Sequence, residues 1–340
     1  MMKKIIAFGL ISLLILGLMI VSCKKGSDAG ASLKIAMVTD VGGVNDQSFN
    51  QSAWEGLQRV GEDFGTKVTF KESKQDADYA PNFETLIDDD NDLIWGIGFL
   101  MGDIVEQIAK ANPEKKFAII DYAYENTPPN CASVLFKAEE ASFLVGYIAG
   151  KMTKTNKVGF VGGMHIPVIP PFEFGFKAGV KTANPDCEIF DQYAESFTDA
   201  AKGKAIANQM YQNGADVIFH ASGAVGDGVI EAAKEQDKWA IGVDKDQNFL
   251  APDNVITSAM KRVDNGIYNV SKALIEGNFP GGQTVVYGLK EGGVDIAPTS
   301  DKNVPANILK EVEKQKQEII NGKIVVPINE EQYNEYLDSM

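Results

Sequence analysis

The chain has 340 residues, enough for two domains of ordinary size. With 44% hydrophobic and 23% charged residues it can bury real cores, which argues against a disordered polypeptide. A formal net charge of −15 argues against nucleic-acid backbones and anionic lipid as general partners, since both are polyanions.

The N-terminus reads as a targeting segment to be set apart from the fold. Lys3-Lys4 is a basic n-region, residues 5–21 are an apolar stretch, and Ile20-Val21-Ser22-Cys23 resembles a lipoprotein signal-peptidase site. The expectation is a signal peptide over residues 1–22, lipidation at Cys23, and a small polar tether over 23–32. An uncleaved N-terminal membrane anchor is the alternative, and the apolar run is barely long enough to span a bilayer. Either way the protein is expected outside the cytoplasm, attached to the cell membrane. Cys131 and Cys187 are expected as free buried thiols in different lobes. His165 and His220 are the only histidines, and no HExxH or paired CxxC occurs, so neither metal nor cofactor is expected.

From residue 34 the chain alternates short apolar runs with helical periodicity. Ile35 to Val38 predicts a buried strand ending at Asp40, and Gly42-Gly43 lets the backbone turn. Asn45, Asp46 and Ser48 are loop and N-cap types, and Ala53, Trp54, Leu57 and Val60 recur at helical spacing. Strands follow at 67–71, 93–99, 117–121 and 132–136, with helices at 80–89 and 103–111. The pattern restarts with helix 139–152, strand 157–161, helix 174–183, strand 189–193 and helix 200–213. Strand 216–219, helix 228–236, and strands 239–244 and 254–260 complete it. Beyond lie short strands near 285–287 and 294–296 and a charged helix at 306–321, which the sequence does not place. Two βα arrays without a long linker predict two doubly wound parallel-sheet lobes, an α/β fold. Asp40, Asp121 and Asp244 all fall at carboxyl ends of strands and are expected to face one cleft.

Phe49 stands beside Asn50 and Asp40, which offers a ring to stack on and polar groups for the edge of a planar heterocycle. Taken singly, each candidate has a plainer reading. Phe49 could plug the core, Asp121 and Asp244 could cap helices, and Lys261 could be a surface lysine. The run from Gly223 to Gly228 lacks the register of a phosphate loop, and Asp227 would repel phosphate.

The runs Ile35 to Asp40, Asn45-Asp46 and Ser48-Phe49-Asn50 resemble the opening of the basic membrane protein family of bacterial lipoproteins, above all its purine nucleoside receptors. Matches continue along almost the whole mature chain. The resemblance implies a periplasmic-binding-protein type I-like fold with a hinge crossed three times. That places 33–137 plus 261–282 in one lobe and 138–260 plus 283–340 in the other. It implies a purine nucleoside (inosine, guanosine or adenosine) held between two phenylalanines, one per lobe. Phe49 matches the first. For the second, Phe197 and Phe219 are both candidates, with Phe197 favoured because it precedes a helix start. Asp244 and Lys261 match positions that grip a ribose, Asp121 a carboxylate for polar base atoms, and Ser222 and Gly223 join the expected contacts. The Pro-rich loop 166–172 resembles a second-lobe loop and receives no contact. The implied partners are the permease and ATPase subunits of an ABC importer and, through the N-terminal lipid, the membrane, with no nucleic acid. The alternatives are a sugar or autoinducer receptor of this fold, a surface adhesin, and a nucleoside hydrolase working through paired carboxylates. The acids are scattered one per strand, so no enzyme is expected.

Overall fold

The computed structural model describes residues 33–340. The expected signal peptide, the lipidation at Cys23 and the tether lie outside the described residues. The first lobe opens with β1 (Lys34–Thr39), α1 (Phe49–Phe64), β2 (Lys67–Lys71), α2 (Tyr79–Asp88), β3 (Leu93–Ile97), α3 (Gly102–Ala111), β4 (Lys116–Ile120) and β5 (Cys131–Phe136). The second opens with α4 (Ala138–Met152), β6 (Lys157–Gly162), α5 (Pro170–Ala183), β7 (Glu188–Tyr193), α6 (Ala200–Gln212), β8 (Val217–Ala221), α7 (Val225–Glu235), β9 (Trp239–Asp244) and β10 (Val255–Lys261). The chain continues through α8 (Val263–Ile275), β11 (Gln283–Tyr287), β12 (Val294–Ile296), α9 (Ala306–Ile320) and α10 (Glu330–Asp338). This is the expected two-sheet α/β architecture.

The first sheet runs β11-β5-β4-β3-β1-β2 with every neighbour parallel. The second runs β12-β10-β9-β8-β6-β7, parallel except where β12 meets β10. Central strands such as Ile35–Thr39 and Leu93–Ile97 are buried along their length because helices cover both faces, which is why they read as unbroken apolar runs. β1 and β6 each lie between two strands that leave in opposite directions, so the crevices at their carboxyl ends are topological switch points. The α4–α5 pair packs closely because glycine lines the contact. A Cβ on Gly179 would come 2.0 Å from the Phe143 carbonyl oxygen, and one on Gly146 2.2 Å from that of Phe176.

The crossings differ in detail from expectation. Lys261, assigned above to the first lobe, is the last residue of β10 and pairs with Val294 in the second sheet. Gln283–Tyr287, assigned to the second lobe, pairs in parallel with β5 in the first. The third crossing therefore falls after Tyr287. β12 and α9 then return to the second lobe, where Val294, Ile308 and Val312 join its core. The periodicity left α10 unread. Cys131 and Cys187 are buried and free.

Candidate functional site

The loop between β1 and α1 is held by its own side chains. Asp40 Oδ1 accepts from the Gly42 backbone N–H at 2.8 Å and from Asn50 Nδ2 at 2.7 Å. Asp46 accepts from the backbone N–H groups of Ser48, Asn50 and Gln51 at 2.8–3.0 Å and from Asn50 Nδ2 at 2.9 Å. Asp46, rather than Ser48, thus satisfies the free donors at the start of α1. Ser48 is released to donate across the cleft to Asp244 Oδ2 at 2.5 Å.

Asp121 and Asp244, at the ends of β4 and β9, hold φ of 68° and 61°, in the left-handed region that costs a residue with a Cβ. That turn sends both carboxylates into the cleft. Asp121 pairs with Lys261 across the lobes, and both are buried. The pair forms because β10 delivers the ammonium opposite the end of β4, and its charge also reaches Asp244. Lys261 Nζ also sits 5.0, 5.5 and 5.7 Å from the ring centres of Phe49, Phe136 and Phe172, within cation–π range. Further out, Lys245 Nζ meets Glu55 at 2.5 Å and Gln247 Nε2 donates to the Gln47 carbonyl at 3.1 Å.

Nine of the ten candidate residues, Asp40, Phe49, Asn50, Asp121, Phe197, Ser222, Gly223, Asp244 and Lys261, line one cavity between the lobes. The tenth does not. Phe219 is fully buried on β8, packed among Phe160, Phe172 and Phe176, because its side of the strand faces the second core. Phe197 instead stands half-exposed over the glycine turn, where a Cβ on Gly163 would lie 2.2 Å from its ring. The Pro-rich loop, to which no contact was assigned, does contribute. Ile166, Val168, Ile169 and Phe172 form much of the apolar wall. The signal was available in the topology: this loop follows β6 as the Asp40 loop follows β1, so it sits at the second switch point.

Burial dominates the electrostatics. It raises the Asp40 carboxyl to about 6, with hydrogen bonds from Gly42 and Asn50 opposing it and the charges of Asp46 and Asp121 adding to it. It likewise raises Asp244 to about 6, opposed by Lys261 and Ser48. His220, fully buried behind Ser222 and bonded to Gln247, is pushed down to about 4 by burial and stays neutral. Such a lining takes up hydroxyl and N–H donors and stacks planar rings.

A family profile described as ABC transporter substrate-binding protein PnrA-like (Bmp) matches residues 33–330. The chain is 42% identical to the CD4+ T-cell-stimulating antigen of Listeria monocytogenes, covering 96% of this chain and 99% of that protein. It is 40% identical to the ABC transporter nucleoside-binding protein BmpA of Lactococcus lactis subsp. cremoris, again over 96% and 99%. Among solved structures, an ABC transporter solute-binding protein from Aeropyrum pernix superposes with a TM-score of 0.82 at 30% identity, covering 90% of this chain and 96% of that one. The family is one of ABC transporter substrate-binding proteins and not of enzymes, which sets the hydrolase alternative aside. The chain belongs to the Bmp family of PnrA-like ABC transporter substrate-binding proteins.

Proposed function

We propose that this protein captures purine nucleosides between its lobes, is tethered to the outer side of the cell membrane through a lipid on Cys23, and hands its ligand to an ABC permease driven by its ATPase. The observation that carries the ligand reading is the division of the cavity lining. Phe49 and Phe197 line it from opposite lobes, and the acids Asp40, Asp46, Asp121 and Asp244 line it at separate positions. In this reading the base stacks between the two rings, with Phe172 and Ile169 closing the side. Asp40 and Asn50 meet the base edge. Asp244, Asp121 and Lys261 take the ribose hydroxyls, with Ser222 and Gly223 lining the second-lobe side. The ligand is uncharged: among the described residues, Asp40, Asp46, Asp121 and Asp244 line the cavity with Lys261 as the one cation, which repels a phosphate. The nucleoside-binding relative from Lactococcus supports the same reading.

Calorimetry with inosine, guanosine, adenosine, inosine monophosphate, uridine and ribose tests it. Binding of the purine nucleosides, with the nucleotide, uridine and ribose silent, is the expected result. Saturable binding of ribose or uridine with the purines silent overturns it. The anchor is tested by a Cys23→Ala variant in the native host, expected to remain unprocessed and unlabelled by palmitate; normal processing there removes the lipid from the account.

A further inference from the structure

His220 is fully buried on β8 and does not line the cavity. Two glycines make room for it and for Gln247, which is buried as completely. A Cβ on Gly226 would lie 1.9 Å from the imidazole, and one on Gly242 2.6 Å from Gln247 Oε1. The partners of this pair fix where its protons stand. The Val243 backbone N–H can only donate, and it meets Gln247 Oε1 at 2.9 Å. The Gln47 carbonyl can only accept, and it meets Gln247 Nε2 from the other lobe at 3.1 Å. Both ends therefore orient the amide the same way, and His220 Nε2, 3.0 Å from Oε1, must be a donor. Burial pushes the imidazole down to about 4, so it is neutral with its proton on Nε2. Its Nδ1 is left as an acceptor facing the Ser222 hydroxyl at 3.4 Å.

Other contacts between the lobes serve different ends. The Ser48–Asp244 and Lys261–Asp121 bonds each include a residue that lines the cavity. The Lys245–Glu55 pair lies where the glutamate is 46% exposed, so solvent screens it. Gln247 and Gln47 line no part of the cavity, and the Gln247 backbone N–H is tied to Ser258 on β10 at 3.1 Å. Resting on the capture of a ligand between the lobes, we propose that Gln247 is a latch on the closed lobes and His220 the positioning residue that keeps its amide turned toward Gln47. The latch reads no part of the ligand. Its bond to Gln47 forms only when the lobes meet and must break before they part, so it sets the rate of release and not the rate of capture.

Stopped-flow rates for guanosine and inosine, on the parent, Gln247→Met, His220→Leu and the double variant, test this. Methionine keeps the length of glutamine and removes its donor. Release from Gln247→Met should quicken about three- to tenfold, the worth of one amide–carbonyl bond, equally for both nucleosides and with capture little changed. His220→Leu should quicken release by a smaller factor and add nothing in the double variant, because it acts through the latch. A merely structural role would make the two effects add and would not divide release from capture. Melting curves establish that the variants are folded. Should they not fold, exchange of the Gln247 side-chain amide protons, followed by NMR in the labelled parent, decides: it should be slower with guanosine bound than without. Release from Gln247→Met as slow as from the parent, or amide exchange unchanged by ligand, overturns the latch while leaving the purine reading intact. Silence of both nucleosides brings down the purine reading alone, and whichever of uridine or ribose saturates the protein then serves for the same rates.

Discussion

The two lobes build their halves of the cleft from different materials. The first-lobe face is a loop whose polar atoms are bonded to one another: Asp40, Asp46 and Asn50 form one connected set pinned to the start of α1. The second-lobe face has a broader apolar wall, with Ile166, Val168, Ile169, Phe172 and Phe197 around the polar group of Ser222, Asp244 and Lys261. A polar set with fixed donors and acceptors discriminates between ligands, whereas an apolar wall gains from covering any flat ring and excluding water. The first lobe should therefore set selectivity, and the second should set affinity through closure.

The largest expected effect comes from Lys261, whose buried pair with Asp121 joins the two halves. Lys261→Met leaves buried Asp121 without its cation and strips Asp244 of a neighbouring positive charge. Breaking a buried pair by removing one partner costs about 3–5 kcal/mol. Melting temperature and nucleoside affinity should both fall; a variant that melts and binds like the parent would show that the cross-lobe pair carries no weight.

Next come two phenylalanines that resemble each other in sequence and differ in place. Phe219→Ala empties a site in the second core and should lower stability by about 3–5 kcal/mol, with the affinity of the folded fraction little changed. Phe49→Ala should do the reverse, losing about 1–3 kcal/mol of binding with a smaller change in melting. Phe197→Ala should weaken guanosine and adenosine by the same factor, since an apolar wall does not read the base edge. A changed ratio between the two nucleosides in Phe197→Ala would break the division of labour between the lobes.

The smallest effect is the pH dependence. Burial raises Asp40 from 3.8 to about 6, and Asp46, Asp121 and Tyr79 face it together with the Asn50 and Gly42 donors. A carboxyl raised on folding contributes stability below its unfolded value and loses it as pH climbs through the folded one. Between pH 4 and 7 the ligand-free parent should thus lose stability relative to Asp40→Asn, whose side chain does not titrate. A base donor favours the ionised carboxylate, so guanosine should tighten over the same interval and release protons on binding. Calorimetry in two buffers of different ionisation enthalpy reads that release; proton uptake would reverse the assignment.

Much of this was legible before any coordinates. Short apolar runs ending in acids dictated parallel strands with carboxylates at one edge, and Asp40, Asp121 and Asp244 do line one cavity. What stayed hidden depended on which way a side chain faces or which partner it meets. Phe219 and Phe197 are equally aromatic, and only strand register sends one into the core. The Lys261–Asp121 pair joins residues 140 positions apart, so no local pattern could reveal it. Gln283–Tyr287 is too short and polar to declare a sheet, and its pairing with β5 comes from the third crossing. The Pro-rich loop concealed its part because Ile166 to Phe172 reads as ordinary hydrophobic surface until the order of the second sheet makes it the counterpart of the Asp40 loop.

The central claim, that a purine nucleoside is held between a reading lobe and a covering lobe, is tested most directly by a crystal structure of the protein grown with guanosine. The account predicts density for the purine between the rings of Phe49 and Phe197, its N1 edge toward Asn50 Oδ1 and Asp40 and its ribose toward Asp244. Density for the nucleoside on one lobe only, or with the ribose at Asn50 and the base at Asp244, would contradict it.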